Sequence, residues 1–195
     1  MERFNLIKEN VTFELIEKKS KFIANAFVVS SEMEAIKVLK ETKKKYNDAR
    51  HNVYAYVVIE EGQVISKCSD DGEPSGTAGS PILNMLNQKK LCNILVVVTR
   101  YFGGILLGTG GLLRAYTDSV KGALGNAEIE VKEKGYLIEM QISYSEIESL
   151  KYFCKTNNIK IKSEEFSEKV IIKLEVSKTK INKLENYDIL EEIYL

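Results

Sequence analysis

Between Ser69 and Tyr116 this 195-residue chain gathers most of the groups able to do chemistry. They are the acids Asp70, Asp71 and Glu73, the hydroxyls Ser75 and Thr77, the guanidinium groups Arg100 and Arg114, and the rings of Tyr101, Phe102 and Tyr116. Eight of the twelve glycines and both prolines lie among them, from Gly72 to Gly111. The run Asn93–Val98 is continuous and β-branched, as in a strand buried on both faces. It leads into Gly103, Gly104, Gly108, Gly110 and Gly111, after which Leu112, Tyr116, Val120, Ala123 and Ala127 recur at helical spacing. A strand that feeds a glycine loop and then a helix leaves backbone N–H groups unpaired at the positive end of the helix dipole, where an anion fits. Thr109, Gly110 and Gly111 would supply those amides, and Arg100 and Arg114 would flank them with donors suited to phosphate or carboxylate. The second loop, Ser69–Pro81, is expected to share that surface, because binding residues gather on loops held by a rigid scaffold.

Other chemistries fit less well. Gly103 and Gly108 have P-loop spacing, but Thr109 stands where the phosphate-binding lysine belongs. Gly108, Gly110 and Gly111 miss the dinucleotide fingerprint, whose third glycine is replaced by Leu113. Asp70, Asp71 and Glu73 with Ser75 or Thr77 have the oxygen chemistry for magnesium, yet Asp-Gly and Glu-Pro are ordinary turn pairs, and no metal or cofactor is assigned. His51 is the only histidine, and Cys68 could form a nucleophile–base pair with it, but a hydrogen-bonding role at a strand end is the expectation adopted.

Around these residues the chain reads as mixed helix and strand. Two strands span Val11 to Val29. Ser31 and Glu34 make a capping-box pattern for a helix reaching Tyr46, with Lys43, Lys44 and Lys45 complementing the dipole at its end. His51–Ile59 and Val64–Cys68 form a hairpin, and Gly76–Gln88 a short helix with Pro81 in its first turn. Glu128–Gly135 reads as a charged connector, and the sixty residues beyond it contain no glycine or proline. There Tyr136–Ile142, a helix capped by Ser145 and Glu148, an Asn157-Asn158 turn, strands at 159–166 and 169–176, a short helix from Ser177 and a last strand at 189–195 give β-α-β-β-α-β, the ferredoxin-like split motif. The domain boundary is placed between Val131 and Lys132. Lysine plus arginine and aspartate plus glutamate both number 28, so no global basic field draws the chain to nucleic acid or membrane. Cys68, Cys92 and Cys154 lack disulfide or zinc spacing. No leader or membrane-spanning run is read, and the expected location is the cytoplasm.

The segments SDDGEPSGTAGSPIL (Ser69–Leu83) and TRYFGGILLGTGGLLRAY (Thr99–Tyr116), with the His51 strand, closely resemble the IMPACT family, in particular its bacterial YigZ-type members. The resemblance implies an N-terminal α+β domain similar to domain IV of elongation factor G, with a left-handed β-α-β crossover. It also implies a C-terminal ferredoxin-like domain similar to domain V of that factor. Members often carry a cysteine in the strand after the histidine, where this chain has Val53, which weakens a Cys–His mechanism further. Eukaryotic relatives regulate translation initiation by competing for the activator of a kinase that phosphorylates an initiation factor, a pathway bacteria lack.

The expected function is therefore that of a non-enzymatic binding protein in translation or stress control, meeting RNA, the ribosome or a regulatory protein. Its contacts would come from His51, Asp70, Asp71, Glu73, Ser75, Thr77, Arg100, Tyr101, Gly103, Gly104, Thr109, Gly110, Gly111, Arg114 and Tyr116, with Lys43, Lys44 and Lys45 as further contacts to phosphate or a protein partner. The alternative is a phosphate- or nucleotide-binding enzyme with Asp70 and Asp71 facing Gly108–Leu112. A third reading, a protein–protein adaptor, would show an exposed apolar patch on the C-terminal sheet.

Overall fold

The computed structural model describes residues 2–195, which divide into two compact units, residues 3–131 and 132–195. In the first unit the strands are β1 (Arg3–Ile7), β2 (Val11–Glu17), β3 (Ser20–Val28), β4 (His51–Glu60), β5 (Gln63–Ser69) and β6 (Ile94–Tyr101). Its helices are α1 (Glu32–Lys45), α2 (Gly79–Gln88) and α3 (Gly108–Gly125). Five strands form one sheet in the order β2-β3-β6-β4-β5, with every neighbouring pair antiparallel. β3 and β4 are consequently parallel and joined through α1, with β6 inserted between them.

The centre of that sheet is dry. From Ile94 to Val98 no side chain of β6 is exposed, as expected of a continuous β-branched run. One face packs on α1 through Leu95, Val97, Tyr56, Val58, Ala35 and Leu39. The other face carries Phe22, Arg100 and His51, aligned across β3, β6 and β4. There Phe22 meets Tyr116 of α3 edge to face at 5.1 Å.

Local chemistry explains the element ends. Ser31 caps α1 by accepting from the Glu34 N–H at 3.1 Å, while the Glu34 carboxylate accepts from the N–H and hydroxyl of Ser30, bonds that hold it below the usual range. α3 begins at Gly108, one turn earlier than its apolar spacing suggests, so Gly110 and Gly111 belong to its first turn. β1 has no alternation long enough to announce it; Asn5 N–H donates to the Lys90 carbonyl and Cys92 N–H to the Asn5 carbonyl.

In the second unit β7 (Ile129–Ile142), β8 (Lys160–Phe166), β9 (Val170–Ser177) and β10 (Tyr187–Tyr194) form an antiparallel sheet in the order β8-β9-β7-β10, with helix α4 (Ile147–Thr156). This is the split-motif connectivity. The expected connector at Glu128–Gly135 is instead the first half of β7. Within it, β10 pairs Gly135 and Lys134, Glu133 exchanges two backbone bonds with Leu195, and Lys134 forms an ion pair with Glu192 at 2.8 Å. Ser145 does not cap α4; the Glu146 carboxylate turns back to the N–H and hydroxyl of Ser143. The second helix is reduced to a 3-10 turn, Ile181–Lys183.

Two neighbouring glycines test how tightly the glycine loop is held. A Cβ on Gly103 would lie 2.0 Å from the Lys19 carbonyl carbon, whereas Gly104, at φ +85°, has open space around it. Gly103→Ala is expected to cost about 3 kcal/mol or more, since backbone must move. Gly104→Ala should cost only the left-handed penalty of about 1–2 kcal/mol. Urea denaturation of the two variants separates these outcomes.

Candidate binding surface at the glycine-rich loops

The loop from Ser69 to Ala78 ends β5 and opens α2, and its acids point in three directions. Asp70 accepts the N–H groups of Gly76, Ala78 and Gly79 at 2.9, 3.0 and 2.8 Å. It is thus the anion at the start of α2, a helix that has no capping side chain from its own N-cap residue. The close approach is possible because Gly79, whose Cβ would lie 2.7 Å from the Ser69 backbone, has none. Asp71 pairs with Lys43 Nζ at 2.6 Å and accepts the Asn52 N–H at 2.6 Å. Glu73 is buried, accepting from Arg100 Nη1 at 2.6 Å and from the Tyr116 hydroxyl at 2.8 Å. Among the described residues no three His, Cys, Asp or Glu side chains converge as metal ligands would.

The neighbouring groups are tied down in the same way. His51 Nδ1 lies 2.9 Å from the Asp71 carbonyl; a carbonyl only accepts, so Nδ1 carries the proton. Thr77 donates to the Pro74 carbonyl at 2.6 Å, and Thr99 to Asn52 Oδ1 at 2.7 Å. Tyr101 donates to Asp48 at 2.8 Å, a bond that raises its phenol. Tyr116 is raised far more, by burial first and then by the charge and hydrogen bond of Glu73, so it stays a donor. The Arg100 guanidinium lies 5.5 Å from the ring centres of both Phe22 and Phe102. Cys68 has the Ser80 hydroxyl at 3.9 Å and shares no bond with His51.

The two loops do converge, through Glu73. The space where an anion was expected beside Arg100 is filled by that carboxylate, and the amides of Gly76, Ala78 and Gly79 are already paired. Asp70 and Asp71 bond to α2, Lys43 and Asn52 instead of facing the start of α3 as the enzyme alternative requires. Gly103 N–H donates to the Ser20 hydroxyl at 3.2 Å, fixing the second loop on the β2–β3 turn.

What faces outward is a smaller set. Ser75, Gly104, Thr109, Gly110 and Arg114 are exposed and Gly111 is partly so, while among the described residues no side chain caps the first turn of α3. Arg114 forms no ion pair among the described residues and, with Lys18 of the β2–β3 turn, Leu107 and Gly111, lines a groove of about 250 Å³ that also holds Glu17 and Asp118. Sequence reasoning missed Lys18, Lys19 and the exposed apolar side chains Ile105, Leu106 and Leu113. Their signal was the short span between Gly103 and Gly108, too short to fold Ile105 and Leu106 back into the core.

This fold and site define a two-domain α+β protein with an Impact-type first domain. Residues 18–124 match the family model described as the Impact N-terminal domain, and residues 140–187 match a domain of unknown function, DUF1949. The chain is 37% identical over 176 residues to the IMPACT family member YvyE of Bacillus subtilis, covering 90% of this chain and 81% of that protein. It is 34% identical over 167 residues to the IMPACT family member YigZ of Escherichia coli, covering 84% and 81% respectively. A solved structure of a hypothetical protein superposes with a TM-score of 0.64 at 30% identity, covering 94% of this chain and 89% of that one. The chain belongs to the IMPACT family.

Removing one partner of a buried ion pair leaves an uncompensated charge, so Glu73→Ala is expected to cost about 3–5 kcal/mol. Tyr116→Phe, which keeps the ring, should cost about 1 kcal/mol; thermal and urea unfolding read both. Burial pushes the Cys92 thiol up to about 11 and also raises Cys154, while Cys68 is partly exposed. A colorimetric thiol reagent at neutral pH should therefore titrate one cysteine in the folded chain and all three after unfolding.

Proposed function

We propose that this IMPACT-family chain is a non-enzymatic binding protein that acts in translation or stress control by contacting RNA or the ribosome through the outer side of the glycine loop. The observation that carries the reading is the division of the loop residues into two sets. The groups suited to acid–base or nucleophilic work, His51, Asp70, Asp71, Glu73 and Tyr116, are tied by internal hydrogen bonds. The groups suited to phosphate are free: Lys18, Lys19 and Arg114 have no ion pair among the described residues; Lys18 and Arg114 line the groove at the start of α3, and the Lys19 backbone lies against Gly103 of the loop before it. Phe102, 48% exposed and backed by Arg100, adds an aromatic face of the kind on which bases stack. The translational role comes from the family resemblance and the contact chemistry from these residues.

The experiment is co-sedimentation with purified ribosomes over a salt series. Association is expected at low salt and should weaken as salt rises, because each phosphate contact releases counterions. The variant Lys18→Glu, Lys19→Glu, Arg114→Glu should lose most of the association and flatten its salt dependence while melting like the parent. No association at the lowest salt overturns the proposal.

A further inference from the structure

Phe102 presents its ring to solvent in a position that the protein holds from behind. The Arg100 guanidinium lies over one face of the ring, 5.5 Å from its centre, and is fixed there by the Glu73 carboxylate and by a second ring, Phe22. Arg100 is only 6% exposed, and its Nε has no hydrogen-bond partner among the described residues, which leaves part of its charge to be met by the two ring faces. The exposed part of Phe102 is therefore the other face and the edge. The backbone after the ring is equally constrained, since Gly103 packs against the Lys19 carbonyl and donates to the Ser20 hydroxyl.

The β2–β3 turn beside it carries a second unusual feature. Glu17 pairs with Ser20, so Lys18 and Lys19 are the two central residues of the turn, and both have left-handed backbone, at φ +45° and +63°. Such a turn favours Asn-Gly, and a pair of lysines there is strained. Residues held in that region cluster at sites of function. Two cations thus start from a rigid hairpin end next to the loop that carries the ring.

Taking as its basis the reading that this surface meets RNA, we infer that the segment it takes is unpaired, with one base stacked on the outer face of Phe102 and neighbouring phosphates on Lys18, Lys19 and Arg114. A base inside a duplex is covered above and below by its neighbours, whereas an unpaired base has a free face for an aromatic ring. The charge distribution favours the same ligand. Duplex RNA is held through phosphates and 2′-hydroxyls over a broad footprint, but Glu17 and Asp118 line the groove that contains Lys18 and Arg114, so cations border only part of it. Ile105 and Leu106, 42% and 83% exposed on the link between Gly104 and Leu107, suit splayed bases and sugars and offer nothing to a second row of phosphates.

The test uses the full chain and a fluorescein-labelled, unstructured RNA of about 12 nucleotides, alone or annealed to its complement. Anisotropy at low salt is expected to show the single strand bound roughly tenfold more tightly than the duplex, and Phe102→Leu to remove about that preference without changing the salt dependence. Because the chain contains no tryptophan, Phe102→Trp places a single indole at the platform. Its emission should be quenched by the single strand and not by the duplex, a signature that a merely structural ring would not give, and one that stands if Phe102→Leu fails to fold. The inference is overturned, with ribosome contact left standing, if ribosomes co-sediment but the duplex binds as well as the strand, or if the strand binds without quenching. It is also overturned if ribosomes co-sediment and neither RNA binds, which would make a ribosomal protein the contact. Absence of both ribosome and RNA binding overturns the two readings together.

Discussion

A single carboxylate holds the first unit's functional end together. Glu73 leaves the acidic loop, enters the protein and is met there by a guanidinium from the last part of β6 and a phenol from α3. Burying such a charge is costly unless it is paired and hydrogen-bonded, and this one is both. The partners are themselves fixed: Arg100 lies between two phenylalanine rings, and Tyr116 packs edge-on against one of them. Three separate stretches of sequence therefore have one mutual geometry, and neither glycine-rich segment is free to drift relative to the sheet. Because burial and the Glu73 charge both raise the Tyr116 phenol, the hydrogen bond keeps its direction throughout the physiological pH range.

The rest of the acidic loop repeats the same principle in exposed form. A helix start attracts an anion, and at α2 the chain supplies its own in Asp70, leaving none of those amides for a ligand. At α3, among the described residues, no side chain is hydrogen-bonded to the first-turn amides, although both helices follow glycine-rich segments. The two helix starts differ in this pairing and not in the glycine content they share.

Much of the architecture was legible. The capping box at Ser31, the hairpin around Glu61 and Gly62, and the alternation of Val170, Ile172, Leu174 and Val176 each combine a period with an end signal, and each element formed as read. The failures share a cause as well. β1 and the first half of β7 are strands because of backbone pairing to distant segments, and neither Arg3–Ile7 nor Glu130–Lys134 carries a hydrophobic pattern that would announce it. In the candidate site the residue types were legible but not their direction. Glu73 finds its partners 27 and 43 residues further along the chain, and no local rule says that it, rather than Asp70 or Asp71, turns inward.

Val53 shows how the fold bears on catalysis. The resemblance associates a cysteine with this strand of the family, and two residues from His51 it would lie on the same face of β4. In this chain Val53 is fully buried and pairs across to Val98 in the densest part of the sheet, while the His51 ring turns to the Asp71 carbonyl at the sheet's end. A thiol at such a position behaves as a small apolar side chain, its ionisation opposed by burial in the way that raises Cys92. Valine fills this position with similar volume and no sulfur. A histidine whose Nδ1–H is held by a backbone carbonyl, beside a core valine, serves to order the acidic loop.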